Sequence, residues 1–99
     1  MASVKVNITK ITDTSFPIFV AFELTDCRGN VHHFADKLPV ISDSDDLVPP
    51  CIGSMRCRIL RETEHTYVID TELPDDIASE EGEYQFEVWK DQVATDTHS

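Results

Sequence analysis

Apolar positions along this chain repeat with a period of two. In Val4-Lys5-Val6-Asn7-Ile8-Thr9, apolar and polar residues alternate, as a strand with one buried face requires. A second run crosses Pro17. Phe16, Ile18, Val20, Phe22 and Leu24 share one face, and Phe19, Ala21, Glu23 and Thr25 share the other. Its first half is apolar on both faces, which fits a central strand or one whose outer face is covered. Asp26-Cys27-Arg28-Gly29-Asn30 reads as a turn, with Gly29 free to take the left-handed conformation that ends a tight hairpin. Val31 to Phe34 returns as the partner strand.

Lys37 to Pro50 reads as a long connection, with Pro39, the polar stretch Ser42 to Asp46, and the Pro49-Pro50 stop. Cys51 to Leu60 is the next strand. It places Cys51, Gly53, Met55, Cys57 and Ile59 on one face. Glu62-Thr63-Glu64 turns the chain, and His65 to Thr71 returns it. Pro74 to Gly82 is a connector with room for one helical turn. Tyr84, Phe86 and Val88 alternate with Glu83, Gln85 and Glu87 in a last strand. The pattern predicts an all-β protein, a small five- to six-stranded barrel of the OB-like or SH3-like kind. Residues 1–93 form its single domain, and 94–99 a flexible C-terminal tail with nothing to bury.

Charge narrows the range of partners. The 99 residues carry 19 acids against 8 bases, a net charge of −11. Nucleic-acid affinity comes from Lys and Arg on phosphates, so this chain is expected to bind no nucleic acid, and an anionic membrane is disfavoured for the same reason. Small molecules, cations and proteins with basic faces remain, beside the plain account that net charge keeps a small protein soluble. The cysteines are three, Cys27, Cys51 and Cys57. With no apolar stretch of signal or membrane-span length, the expectation is reduced thiols in the cytoplasm. An odd count also admits one disulfide and one free thiol.

The chemistry-bearing residues make weak motifs. Cys51, Cys57 and His33 are the nearest approach to a metal set, but no Cys-x-x-Cys occurs. Cys51 and Cys57 share a face, which suits two small core residues equally well. His32 and His33 are neighbours on a strand and point to opposite faces, so they cannot jointly hold one metal. Cys27 beside Arg28 is the most exposed thiol expected, yet no nucleophile motif accompanies it. Asp43-Ser44-Asp45-Asp46 begins like a calcium loop but lacks its glycine and closing glutamate. It reads as solvated acid, as do Asp75-Asp76 and Glu80-Glu81. No catalytic residue, metal or cofactor is therefore expected.

A partner-binding face is the remaining candidate. Phe19 and Trp89 lie opposite the apolar stripes of their strands and face outward, where aromatic residues serve as binding anchors. Asp36 and Lys37 open the long loop, and Asp43, Asp45 and Asp46 sit within it. The alternative cover for such a face is the loop itself or a second copy of the chain.

The stretch Phe16-Pro17, Glu23-Leu24-Thr25-Asp26, Gly29-Asn30-Val31-His32-His33-Phe34 and Asp36-Lys37-Leu38-Pro39-Val40 resembles a pattern in small uncharacterised bacterial proteins. Gly53, Cys57, Glu81-Gly82 and Phe86-Glu87-Val88 extend it over most of the chain. The resemblance implies a bacterial origin and a β fold, and no activity. The reading that follows is a non-catalytic acidic protein that recognises a basic protein partner, of the immunity or inhibitor kind. A small metal- or ligand-binding barrel is the alternative.

Overall fold

The computed structural model describes residues 2–15, 17–42 and 48–95. Strand β1 (Ala2–Asp13) forms where the alternation begins, burying Ala2, Val4, Val6 and Ile8 and exposing Lys5 and Asn7. β2 (Phe19–Thr25) buries Val20, Phe22 and Leu24. β3 (Val31–Lys37) follows a turn in which Gly29 has φ +86°, the left-handed value that glycine adopts without strain. β4 (Cys51–Glu62), β5 (Thr66–Asp70) and β6 (Gln85–Trp89) complete the larger strands, and β7 (Val93–Ala94) is a short last one.

All seven strands belong to one antiparallel sheet with the path β3-β2-β1-β4-β5-β6, and β7 pairs with β1 off that path. The sheet curls strongly into a half-barrel, and the all-β expectation holds. Two features make the curl. β4 changes partner midway, pairing with β1 over Cys51–Cys57 and with β5 over Arg58–Glu62. The β1–β2 register shifts between Ile8 and Lys10 and again between Ile11 and Asp13. Such irregularities bend a strand and increase its twist. Beyond the first shift, β1 is exposed on both faces.

The inner face carries the core. Phe22 and Phe34 stack with ring centroids 5.1 Å apart. Phe86 meets Phe34 edge-on at 5.7 Å, so β6, at one end of the sheet path, packs on β3, at the other. The rings bridge the mouth of the half-barrel.

The stretch after Lys37 is not all loop. Leu38–Val40 forms a 3-10 turn, and Leu38 and Ile41 are buried in the core. The Ile41 carbonyl accepts a 2.9 Å bond from the Ser54 amide. A Cβ at Gly53 would lie 2.7 Å from that carbonyl, so the approach requires glycine. The Pro74 to Gly82 connector turns without forming a helix, and it sends Ile77 into the core. At the C-terminal end, Ala94, the first residue of the expected tail, pairs with Ser3. Residues 96–99 lie outside the described residues. Among the described residues, no helix is long and apolar enough to cross a membrane.

Candidate functional site

β3 and β6 are the two end strands of the sheet path, and polar groups join their edges. The Cys27 amide donates to the Glu87 carbonyl at 2.8 Å, and the Glu80 amide donates to the His33 carbonyl at 2.8 Å. Arg28 adds a 3.0 Å ion pair to the Glu87 carboxylate, which also accepts a bond from the Thr66 hydroxyl. The Thr66 bond, with help from Arg28 and against partial burial, holds the Glu87 carboxyl below its usual value.

His32 lies at this junction. Its ring packs on Phe86 with centroids 4.8 Å apart, and its side chain is 14% exposed. Asp26, at the start of the β2–β3 turn, orients it. Asp26 Oδ1 accepts the amides of Arg28 and Asn30 at 2.9 and 3.0 Å, and Oδ2 takes His32 Nε2 at 2.8 Å. Burial pushes the Asp26 carboxyl up, but the bonds from His32, Asn30 and Arg28 outweigh it, and the pKa falls below the ordinary value. An ionised carboxylate only accepts, so His32 Nε2 carries a proton. His32 Nδ1 is buried and has no hydrogen-bond partner.

A tight turn brings two carboxylates to that nitrogen. The Ser79 amide bonds the Glu83 carbonyl at 2.8 Å, the Gly82 amide bonds the Ser79 carbonyl at 2.8 Å, and Ser79 Oγ accepts the Glu83 amide at 3.1 Å. Gly82 has φ +84°, which lets Glu81 and Glu83 flank it on the β3 side. Ligand atoms of His32, Glu81 and Glu83 all lie within 4.8 Å of one another. Sequence reading missed this group, because Glu81 reads as solvated acid in a connector and Glu83 as the polar side of the last strand, and no local pattern joins either to His32.

The residues singled out in the sequence fall in three places. Phe19 is paired with Lys37, and Val20 with Asp36, so Phe19, Asp36 and Lys37 share one end of the β2–β3 hairpin. Phe19 is half-buried there, and Asp36 Oδ1 accepts the Lys37 amide. Trp89 lies near the other end, because Gln92 accepts the Trp89 amide and donates to the Thr25 carbonyl, both at 2.8 Å. Six residues of strand, roughly 20 Å, separate Phe19 from Thr25, so the two aromatics do not form one patch. Asp43, Asp45 and Asp46 lie outside the described residues.

Trp89 is 48% exposed and borders an open cleft with Glu64, His65, Lys90 and Asp91. Lys90 is engaged, with its ammonium 2.6 Å from Glu62 and over the Tyr67 ring. The indole thus stands on a backbone fixed by Gln92, within an acidic rim.

The cysteines are free thiols and are not gathered with His33. Cys57 is buried, and burial pushes its thiol up to about 11, away from thiolate chemistry. Cys51 packs partly against the core opposite Ile8. His33 lies on β3, three places from β4 in the sheet path, and its ring is 58% exposed beside Glu23. A second open cleft, beside Ile41 and Ser42, is lined on the outer sheet face by Ser3, Lys5, Ile52 and Ser54. The chain matches no protein-family model, no curated protein and no solved structure.

Proposed function

We propose that this chain is a non-catalytic acidic binding protein that holds a basic protein partner, as an inhibitor or immunity protein caps its target. The observation that carries the reading is Trp89, a half-exposed indole on a fixed backbone with Glu64 and Asp91 beside it. A rigid aromatic supplies contact area at low entropic cost, and tryptophan is enriched among the residues that dominate binding energy. The charge fits the same reading. Arg28, Arg56, Arg58 and Lys90 are each engaged with a carboxylate of the same chain, which leaves the acidic excess to face solvent. Acidic complementarity steers a basic partner into place and makes association sensitive to salt.

Affinity capture from the native host at low salt, followed by salt elution, tests this. The expected result is a retained protein of basic isoelectric point that elutes as salt rises and is lost with Trp89→Ala. Nothing retained at low salt, or retention unchanged by Trp89→Ala, overturns it.

A further inference from the structure

The imidazole of His32 is held in an arrangement that its protein neighbours leave incomplete. Asp26 takes the Nε2 proton at 2.8 Å and is itself fixed by two turn amides. In the neutral ring Nδ1 presents a lone pair, buried and without a hydrogen-bond partner, with Glu83 Oε1 3.5 Å away. A lone pair and a carboxylate oxygen facing each other are two acceptors with no donor between them. A positive centre between them removes that conflict, either a proton on Nδ1 or a cation shared with Glu81.

We propose that His32, Glu81 and Glu83 form a site for a divalent first-row cation of the zinc type. The donor set of one imidazole nitrogen and two carboxylates suits such a cation, with water completing the coordination. The spacing is suitable. Two ligand atoms at tetrahedral zinc distances lie about 3.4 Å apart, and His32 Nδ1 and Glu83 Oε1 already stand at 3.5 Å. Glu81 is exposed, and a change of its rotamer closes the rest of the 4.8 Å group. Asp26 plays the supporting part that a carboxylate takes behind a metal-bound histidine: it accepts the Nε2 proton and aims the ring. The turn that carries the glutamates is anchored to β3 by the Glu80 amide on the His33 carbonyl, so a bound cation would tie β3 to the connector before β6. The cysteines take no part, and none of the three residues lines the cleft beside Trp89.

Calorimetric titration of chelator-stripped protein with zinc chloride tests this, beside the double variant Glu81→Gln/Glu83→Gln. Both glutamates are exposed, so the variant is expected to fold, and its melting temperature without metal checks that. The expected result is one zinc per chain, with affinity reduced on the order of tenfold or more in the double variant and roughly tenfold in Asp26→Asn. Zinc at a hundredfold excess over its dissociation constant should raise the wild-type melting temperature by roughly 10 °C or more. Imidazole nitrogen resonances should show the shift at His32 Nδ1. Cobalt in place of zinc should give no thiolate charge-transfer band. Absence of binding overturns the proposal. So do equal affinity in the double variant, a shift confined to other histidines, or a thiolate band.

Discussion

Seven residue pairs in unbroken register, Ala2↔Cys57 through Ile8↔Cys51, join β1 to β4, and the residues facing inward between them are apolar. The β3–β6 junction is held differently. There Asp26, His32, Arg28, Glu87 and the amides of Cys27 and Glu80 make directional bonds around the edge of the Phe22–Phe34–Phe86 cluster. The first region is held by area removed from water, which pH and salt scarcely touch. The second depends on ionised groups and on their partners staying in place. The comparison teaches that this half-barrel has a passive spine and a condition-dependent closure.

The largest expected effect comes from removing the ring at the centre of the aromatic cluster that the junction surrounds. Phe34→Ala deletes a buried aromatic that stacks on Phe22 and meets Phe86, and should cost about 3–5 kcal/mol in urea unfolding. A smaller loss, within the range of a surface change, would show that the rings do not bridge the opening. Gly53→Ala tests the spine. Its Cβ would enter the space of the Ile41 carbonyl, and the expected cost is roughly 1–3 kcal/mol, independent of pH.

Asp26→Asn tests the closure. The Asp26 carboxyl has its pKa lowered in the fold, so its contribution is complete above the ordinary Asp value of about 3.9 and is lost as pH falls through the lower folded value. Asp70, whose carboxyl is lowered by the Glu72 amide and by Arg58, adds stability of the same sign. The variant should therefore be less stable at neutral pH and show a flatter acid limb in melting temperature against pH. An acid limb unchanged from wild type would remove Asp26 from the account. The smallest effect belongs to Trp89→Ala, expected to change stability by within about 0.5 kcal/mol because the indole is half in solvent. Its consequence should appear in partner binding alone.

The buried faces of the strands were legible in the sequence because a period of two requires only neighbouring residues. Val4, Val6 and Ile8, then Val20, Phe22 and Leu24, then Phe86 and Val88, are buried as their alternation predicts. The closure was not legible. Asp26 and His32 are close in sequence, but Glu83 lies far along the chain and Glu87 reaches Arg28 across 59 positions. No local period connects them. Leu38 and Ile41 were hidden for another reason: an apolar residue in a Pro-containing stretch lacks the alternating neighbours that mark burial. Trp89 could be read as outward because it interrupts a clear alternation.

The polar bonds at the junction have a consequence for self-association. A half-barrel has two outer strands, and an exposed row of amides and carbonyls is a template for another chain. Here the Glu80 and Cys27 amides occupy carbonyls on the outward edges of β3 and β6, and Arg28 and Glu87 place charge beside them. Loosening those bonds would therefore expose two adhesive strand edges as well as lowering the barrier to opening. Damage at the closure should be seen first as sheet-to-sheet polymerisation at high protein concentration, before any loss of the strands themselves.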